Sequence, residues 1–302
     1  MPDSVQFPGP LQTVLGQFVV WSIIHADLRP HLDLIGTIRT TADQCDNIYP
    51  WCTIHHLYHH TQNGMISMKN IHIGYHNALF SIEELNLQEG KVYALLGPNG
   101  KGKTTFLKTL SGLIPPIKGG LEVNGKLIRD LSREEMARMS AFVTPRFEGV
   151  DHLSVFNYIL LGRTPYLRLT GKPSHNDLLV VEKIIKETGM EKLRAKNTDK
   201  ISDGERQLAS ICRALAQETP VILLDEPTAF LDYTNKLKVI RLLKEIAHKQ
   251  KKCIILSSHD VELCLEEKLT ILALTNDNQL KQLDSVSKEA LINLCFQDQP
   301  GN

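Results

Sequence analysis

From Met68 onward the apolar positions fall into a pattern. Ile71 and Ile73 alternate with polar neighbours, and Phe80, Ile82, Leu85 and Leu87 nearly do the same. A period of two predicts half-buried antiparallel strands. Residues 92–96 are apolar without a break, as in a strand buried on both faces. Leu121 and Val123 lead into Asn124-Gly125, a hairpin turn signal, with Leu127 and Ile128 beyond. Ser132 with Glu135 makes a capping box that opens a helix. From there to about residue 219 the pattern is mostly helical, residues 179–188 included. Buried strands return at 221–224 and 253–256, separated by a helix with Leu237, Ile240, Leu243 and Ala247 along one face, and 271–274 is one more short strand. These elements predict an α/β fold: a mostly parallel sheet, an antiparallel β edge near its start, and a helical subdomain inserted at about 130–219.

Composition changes this picture in one place. The 302 residues carry 34 Lys+Arg against 34 Asp+Glu, and zero net charge argues against a protein that lives on nucleic acid. No run reaches the ~18 apolar residues of a membrane span. The most apolar N-terminal run, 14–24, is broken by Gln17 and preceded by no Lys or Arg, a poor signal peptide. Six scattered cysteines read as reduced thiols. Residues 1–64, however, contain no Lys and no Glu, carry a net charge of −3, and hold both tryptophans and six of the twelve histidines. A folded domain rarely avoids the two best charged helix formers. The break at Met65 therefore divides the chain into an atypical extension, 1–64, disordered or a misassigned start, and a folded domain, 65–302. Cys52, His55, His56, His59 and His60 in the extension, with Cys45, are chemically able to bind Zn²⁺. No second Cys-x-x-Cys pair stands nearby, and the bland reading is preferred.

The chemistry starts directly after the 92–96 strand, at Gly97-Pro98-Asn99-Gly100-Lys101-Gly102-Lys103-Thr104-Thr105, followed by a helix through Leu107 and Leu110. This is G-x-x-x-x-G-K-[ST] in its strand–loop–helix setting. Glycines let successive backbone N–H groups turn toward phosphate oxygens, and the helix start adds its positive dipole. Lys103 reaches the β- and γ-phosphates, and the Thr104 hydroxyl can ligate Mg²⁺. The apolar run 221–224 ends in Asp225, suited to the Mg²⁺ shell, and Glu226 follows, suited to act as general base on the attacking water. The site binds nucleotide.

Ile201 to Gln207 precede a helix with Leu208, Ile211, Cys212 and Leu215 on one face. Ser202 and Gly204 at its start form a second anion site or an ordinary N-cap. His259 follows the end of a buried strand. Together and in this order these residues resemble the ATP-binding subunit of ABC transporters, over 65 to about 295. Ser202–Gln207 match the signature, 224–232 the Walker B motif and D-loop, His259 the switch histidine, and Tyr75 the aromatic that stacks on adenine. The resemblance implies a P-loop NTPase core with ATP and Mg²⁺ as cofactors, and a homodimer or paired ATPase subunits that sandwich two ATP molecules. Ser202 and Gly204 then complete the partner's nucleotide site, Asp232 of the D-loop is among the nucleotide-binding residues, His259 contacts the γ-phosphate, and hydrolysis moves integral-membrane permease subunits from the cytoplasmic face of the membrane.

Gly162-Arg163-Thr164-Pro165-Tyr166 is similar to the Gly-Arg-x-Pro segment of metal-chelate importers, and Asp203 is frequent in that group. Those importers carry ferric siderophores, haem or cobalamin, through a permease dimer and a substrate-binding protein. The alternatives are an exporter motor or a soluble ABC ATPase. DNA-repair types insert a long coiled coil where only 99 positions separate Lys103 from Ser202, and ribosome-associated types carry two tandem ATPase domains. Two residues depart from the family. Arg146 replaces a glutamine in the coupling loop after Pro145, and Lys101 stands where the residue is usually small. An arginine cannot ligate Mg²⁺. Turned inward it pairs with phosphate; turned outward it serves the permease contact, which spares it a costly desolvation.

Overall fold

Alternation builds the first layer. Strand β1 (Ile66–Gly74) pairs antiparallel with β2 (Ala78–Leu87), setting Ile71 opposite Ile82 and Ile73 opposite Phe80, all four buried. Strand β3 (Val92–Leu96) leaves for a second sheet, and β4 (Lys118–Val123) returns to the other edge of β1. Asn124 and Gly125, with φ of 51° and 72°, then turn the chain into the two-residue β5 (Lys126–Leu127). This is a computed structural model, and it describes residues 64–145, 147, 149–167 and 171–296. The extension and its Cys/His cluster lie outside the described residues, as does Arg146.

The second sheet adds β6 (Ser140–Val143), β7 (Val221–Leu224), β8 (Cys253–Ser257), β9 (Thr270–Leu274) and β10 (Leu280–Leu283), in the order β10-β9-β3-β8-β7-β6. All its pairs are parallel except β9 with β10. Val92, Ala94, Leu96, Ile222, Leu224, Ile254 and Leu256 enter one core. Tyr93, Leu95, Val221, Leu223, Cys253 and Ile255 enter the other. The helices are α1 (Lys103–Leu110), α2 (Arg133–Met139), α3 (Val155–Leu160), α4 (His175–Glu187), α5 (Asp203–Ala216), α6 (Tyr233–Gln250), α7 (Val261–Glu266) and α8 (Lys288–Cys295). Side chains of α1 and the first sheet fill one core, and those of α3 to α6 fill the other. A sheet covered on both faces has no polar alternation to show, which is why its strands read as unbroken apolar runs.

Three local expectations change. Residues 140–143 form β6 inside the segment expected to be mostly helical, because Ala141 pairs with Ile222 of β7 and a four-residue run is too short to show a period. β10 was not anticipated. Ile128 opens a 3₁₀ turn, Ile128–Asp130, rather than extending a strand. The expected capping box at Ser132/Glu135 is present, and two more open α4 at Ser174/Asp177 and α5 at Ser202/Glu205.

The Gly-Arg-x-Pro segment is a structural clamp. Buried Arg163, in the 3₁₀ segment Leu161–Tyr166, donates from Nε to Asp177 Oδ1 at 2.9 Å, and from Nη1 to Ala216 O and Glu218 Oε2, both at 2.7 Å. Its guanidinium carbon lies 4.2 Å from the centre of the Tyr166 ring. The Tyr166 hydroxyl donates to Gln217 O at 2.8 Å, and Arg138 Nη2 donates to Pro165 O at 3.0 Å. Gly162 allows the close approach, since a Cβ there would stand 2.2 Å from Arg213 O. The clamp therefore binds α2, α4 and the C-terminal end of α5 into one unit.

Candidate functional site

The phosphate loop runs from the end of β3 into α1. Gly102 is the N-cap of α1 with φ +102°, a conformation that suits glycine, and no side chain caps the helix. The first-turn N–H groups are left for an anion. Lys103 is buried and donates from Nζ to Gly97 O at 2.8 Å and Pro98 O at 3.1 Å. Burial lowers its affinity for the proton, opposed by the nearby carboxylates of Glu226 and Asp225. Asn99 is exposed at the loop tip, and Thr105 is buried in the first turn of the helix. Lys101 Nζ donates to Asn278 Oδ1 at 3.1 Å, in the β9–β10 turn.

Strand adjacency brings the acids to this loop. Thr104 Oγ1 donates to Asp225 Oδ2 at 2.7 Å, and Ser257 Oγ donates to Asp225 Oδ1 at 2.7 Å. The same Ser257 oxygen accepts the N–H of Glu226 at 2.8 Å. This bond holds Glu226 in a left-handed backbone, φ +48°, that residues with a Cβ rarely adopt. His259 Nε2 lies 2.8 Å from Glu226 Oε1. Thr104, Asp225, Ser257, Glu226 and His259 thus form one hydrogen-bonded run at the C-terminal ends of β7 and β8. Ser257 belongs to none of the sequence motifs, although its signal is readable: it ends an apolar run in the strand beside the one that leads into Asp225.

Other candidates stand apart from that run. Tyr75, 60% exposed just past β1, offers an open ring face. Ser202 is the N-cap of α5, its Oγ accepting the N–H of Glu205 at 3.3 Å while its own N–H donates to Glu205 Oε2 at 2.8 Å. Asp232 caps α6, accepting the N–H of Asn235 at 2.8 Å. Leu231, beside it, packs toward Gly204, where a Cβ would lie 2.7 Å from Leu231 Cδ2. Among the described residues no hydrogen bond or ion pair links Ser202, Gly204 or Asp232 to Lys103, Asp225 or Glu226. Also among them, no helix is long and apolar enough to cross a membrane.

A phosphate loop beside a paired-acid strand end, in a mostly parallel sheet with an antiparallel edge sheet and a helical insertion, defines a P-loop nucleotide hydrolase. Residues 81–229 match the family described as ABC transporter. The achromobactin transport ATP-binding protein of Dickeya dadantii is 33% identical over 235 residues, covering 76% of this chain and 87% of its own. A solved structure assigned to a metal-chelate type ABC transporter, in an inward-facing conformation, aligns with a TM-score of 0.65 and 30% identity, covering 77% of this chain and 89% of that one. A dimeric bacterial ABC transporter cassette aligns at 0.61 and 25% identity, covering 72% and 97%. The chain belongs to the ABC transporter ATP-binding family. It is an ATP hydrolase of the kind that works as a dimer within transporters.

Proposed function

We propose that the chain is the ATP-hydrolysing motor subunit of an importer for a metal chelate, of the class of ferric siderophores, haem or cobalamin. It works on the cytoplasmic face of a membrane, against permease subunits and, through them, a substrate-binding protein. The observation that carries the hydrolytic part is the run from Thr104 through Asp225, Ser257 and Glu226 to His259. In this reading the N–H groups of residues 99–105 and the Lys103 ammonium hold the β- and γ-phosphates, and the Tyr75 ring stacks on adenine. Glu226 takes a proton from the attacking water, and His259 holds that carboxylate and reaches the γ-phosphate. Thr104 and Asp225 are the hard oxygen donors that Mg²⁺ prefers, and would hold it. When bound, that ion neutralises charge on the β- and γ-oxygens. Ser202, Gly204 and Asp232 serve the nucleotide of the partner subunit, and Arg146 of the coupling loop serves the permease contact.

The metal-chelate part is supported by the achromobactin transport relative and by the metal-chelate type structure. The test is to purify the tagged chain from membranes with its bound permease, rebuild the complex in vesicles with its binding protein, and measure ATP-dependent uptake of ferric siderophores, haem and cobalamin. Uptake of one of them is expected. A partner that only exports, or co-purification with ribosomes or DNA in place of a permease, overturns the proposal.

A further inference from the structure

Two polar tethers join the start of α6 to the segment that carries His259. Lys236 Nζ lies 2.5 Å from Asp260 Oδ2, and the Tyr233 hydroxyl donates to Glu266 Oε2 at 2.6 Å. Lys236 stands one turn beyond Asp232, the N-cap of α6, and Asp260 directly follows His259. Both side chains of the Lys236–Asp260 pair are largely withdrawn from water, 24% and 32% exposed, so their attraction is less screened than that of a free surface pair.

Asp260 is the residue at which α7 begins, and an aspartate there ordinarily accepts an N–H of its own helix. Asp232 does so at the start of α6. Asp260 does not: no side chain caps α7, and the carboxylate reaches Lys236 instead. The Asp260 N–H is held in turn by Ser258 Oγ at 3.0 Å. Residues 258–260 are therefore pinned from both sides. The His259 ring needs this, because it is partly exposed and its one hydrogen-bond partner among the described residues is Glu226. Its place is set by the backbone that carries it.

We infer that Lys236 is a positioning residue for hydrolysis. Through Asp260 it sets the backbone of the 258–260 segment and so the approach of His259 to Glu226, and it makes that approach depend on the first turn of α6, beside the residue proposed to serve the partner subunit. The inference rests on the roles proposed above for Glu226 and His259.

Lys236→Met keeps the aliphatic stem and removes the charge. In the full chain, kcat for ATP should fall about tenfold, the scale of a small misplacement of a catalytic group. KM should stay within about twofold, because ground-state binding is untouched. Lys236→Arg should restore most of the loss, and the exchanged pair Lys236→Asp/Asp260→Lys should recover part of what each single change loses. Parental kcat in Lys236→Met overturns the inference, and so does a lowered melting temperature with unchanged kcat per folded molecule. His259→Ala, measured alongside, tests the underlying roles. Parental turnover there refutes those roles, whereas a loss there with none in Lys236→Met refutes only the inference.

Discussion

Arg163→Met preserves most of the side-chain volume and removes the guanidinium at the centre of the clamp. Its partner Asp177 is 4% exposed and loses the 2.9 Å donor, while Ala216 O loses the one at 2.7 Å. Breaking a buried ion pair from one side costs about 3–5 kcal/mol. Asp177 keeps the Ser174 N–H at 2.8 Å and the Ser174 hydroxyl at 2.6 Å, which places the cost toward the lower end. Glu218 is half-exposed, and its bond adds less than about 1 kcal/mol. A domain of this size loses about 2–4 °C per kcal/mol, so the melting temperature should fall by about 10 °C at neutral pH. Adding Asp177→Asn should return part of that, since the amide removes the unpaired buried charge while its oxygen still accepts the Ser174 N–H.

The same pair predicts an acid signature. Burial pushes the Asp177 carboxyl up, but the hydrogen bonds from Ser174 and Arg163 outweigh it and hold the group below its ordinary 3.8. A carboxyl depressed in the folded state stabilises above its unfolded value, and that stabilisation is lost as pH falls through the folded value. The deficit of Arg163→Met should therefore be full at neutral pH and shrink below about pH 4. Thermal unfolding followed by circular dichroism across that range measures both effects. A shift under about 2 °C, with no narrowing in acid, would refute the clamp.

Other predictions concern the site and the domain boundary. Glu226→Gln should retain ATP binding, lose about 10²–10⁴ in turnover and accumulate an ATP-bound dimer on size exclusion; hydrolysis at the parental rate would remove Glu226 as general base. Ser257→Ala leaves an Asp225 oxygen and the Glu226 N–H without their shared partner, so turnover should fall about ten- to hundredfold with smaller change in ATP affinity. Equal loss of affinity and turnover would assign Ser257 to binding instead. A chain starting at Met65 should bind ATP and melt within a few degrees of the full chain, and a large loss of stability would show that the extension packs on the domain.

What the sequence displays is set by how local each cause is. β1 and β2 show their period in two stretches each, buried positions alternating on either side of the exposed pairs 69–70 and 83–84. β6 shows none in four, and its identity rests on pairing with β7, far along the chain. The phosphate loop, Asp225 and Glu226 are legible because strand, loop and helix are consecutive. Ser257 acquires its role from strand order: β7 beside β8, with Leu224 opposite Leu256, puts Asp225 and Ser257 at one level. Arg163 was legible only as a family mark, since hydropathy cannot foresee a buried arginine. Lys101 departs from the small residue usual at its position, and its amine is held by Asn278, across 177 positions of sequence.

The intrachain bonds at each candidate group also separate a site that works alone from one that does not. Lys103 spends its ammonium on two carbonyl oxygens, which are weaker acceptors than phosphate by about half. Burial makes that charge costly until an anion meets it, so exchanging the carbonyls for a polyphosphate gains on both counts. Ser202 faces the opposite balance. Its hydroxyl both accepts the Glu205 N–H and donates to Glu205 Oε2, and giving up such a cap costs about 1 kcal/mol. The acidic side chains of Asp203 and Glu205 also lie in that first turn and oppose a free anion. A phosphate would leave the start of α5 unless something else held it there. A nucleotide already fixed in the phosphate loop of a second subunit meets that condition, since its binding entropy has been lost elsewhere and only the increment at Ser202 remains. In the proposed pair, a phosphate-loop half-site that binds by itself and an α5 half-site that does not are what two subunits closing on ATP require.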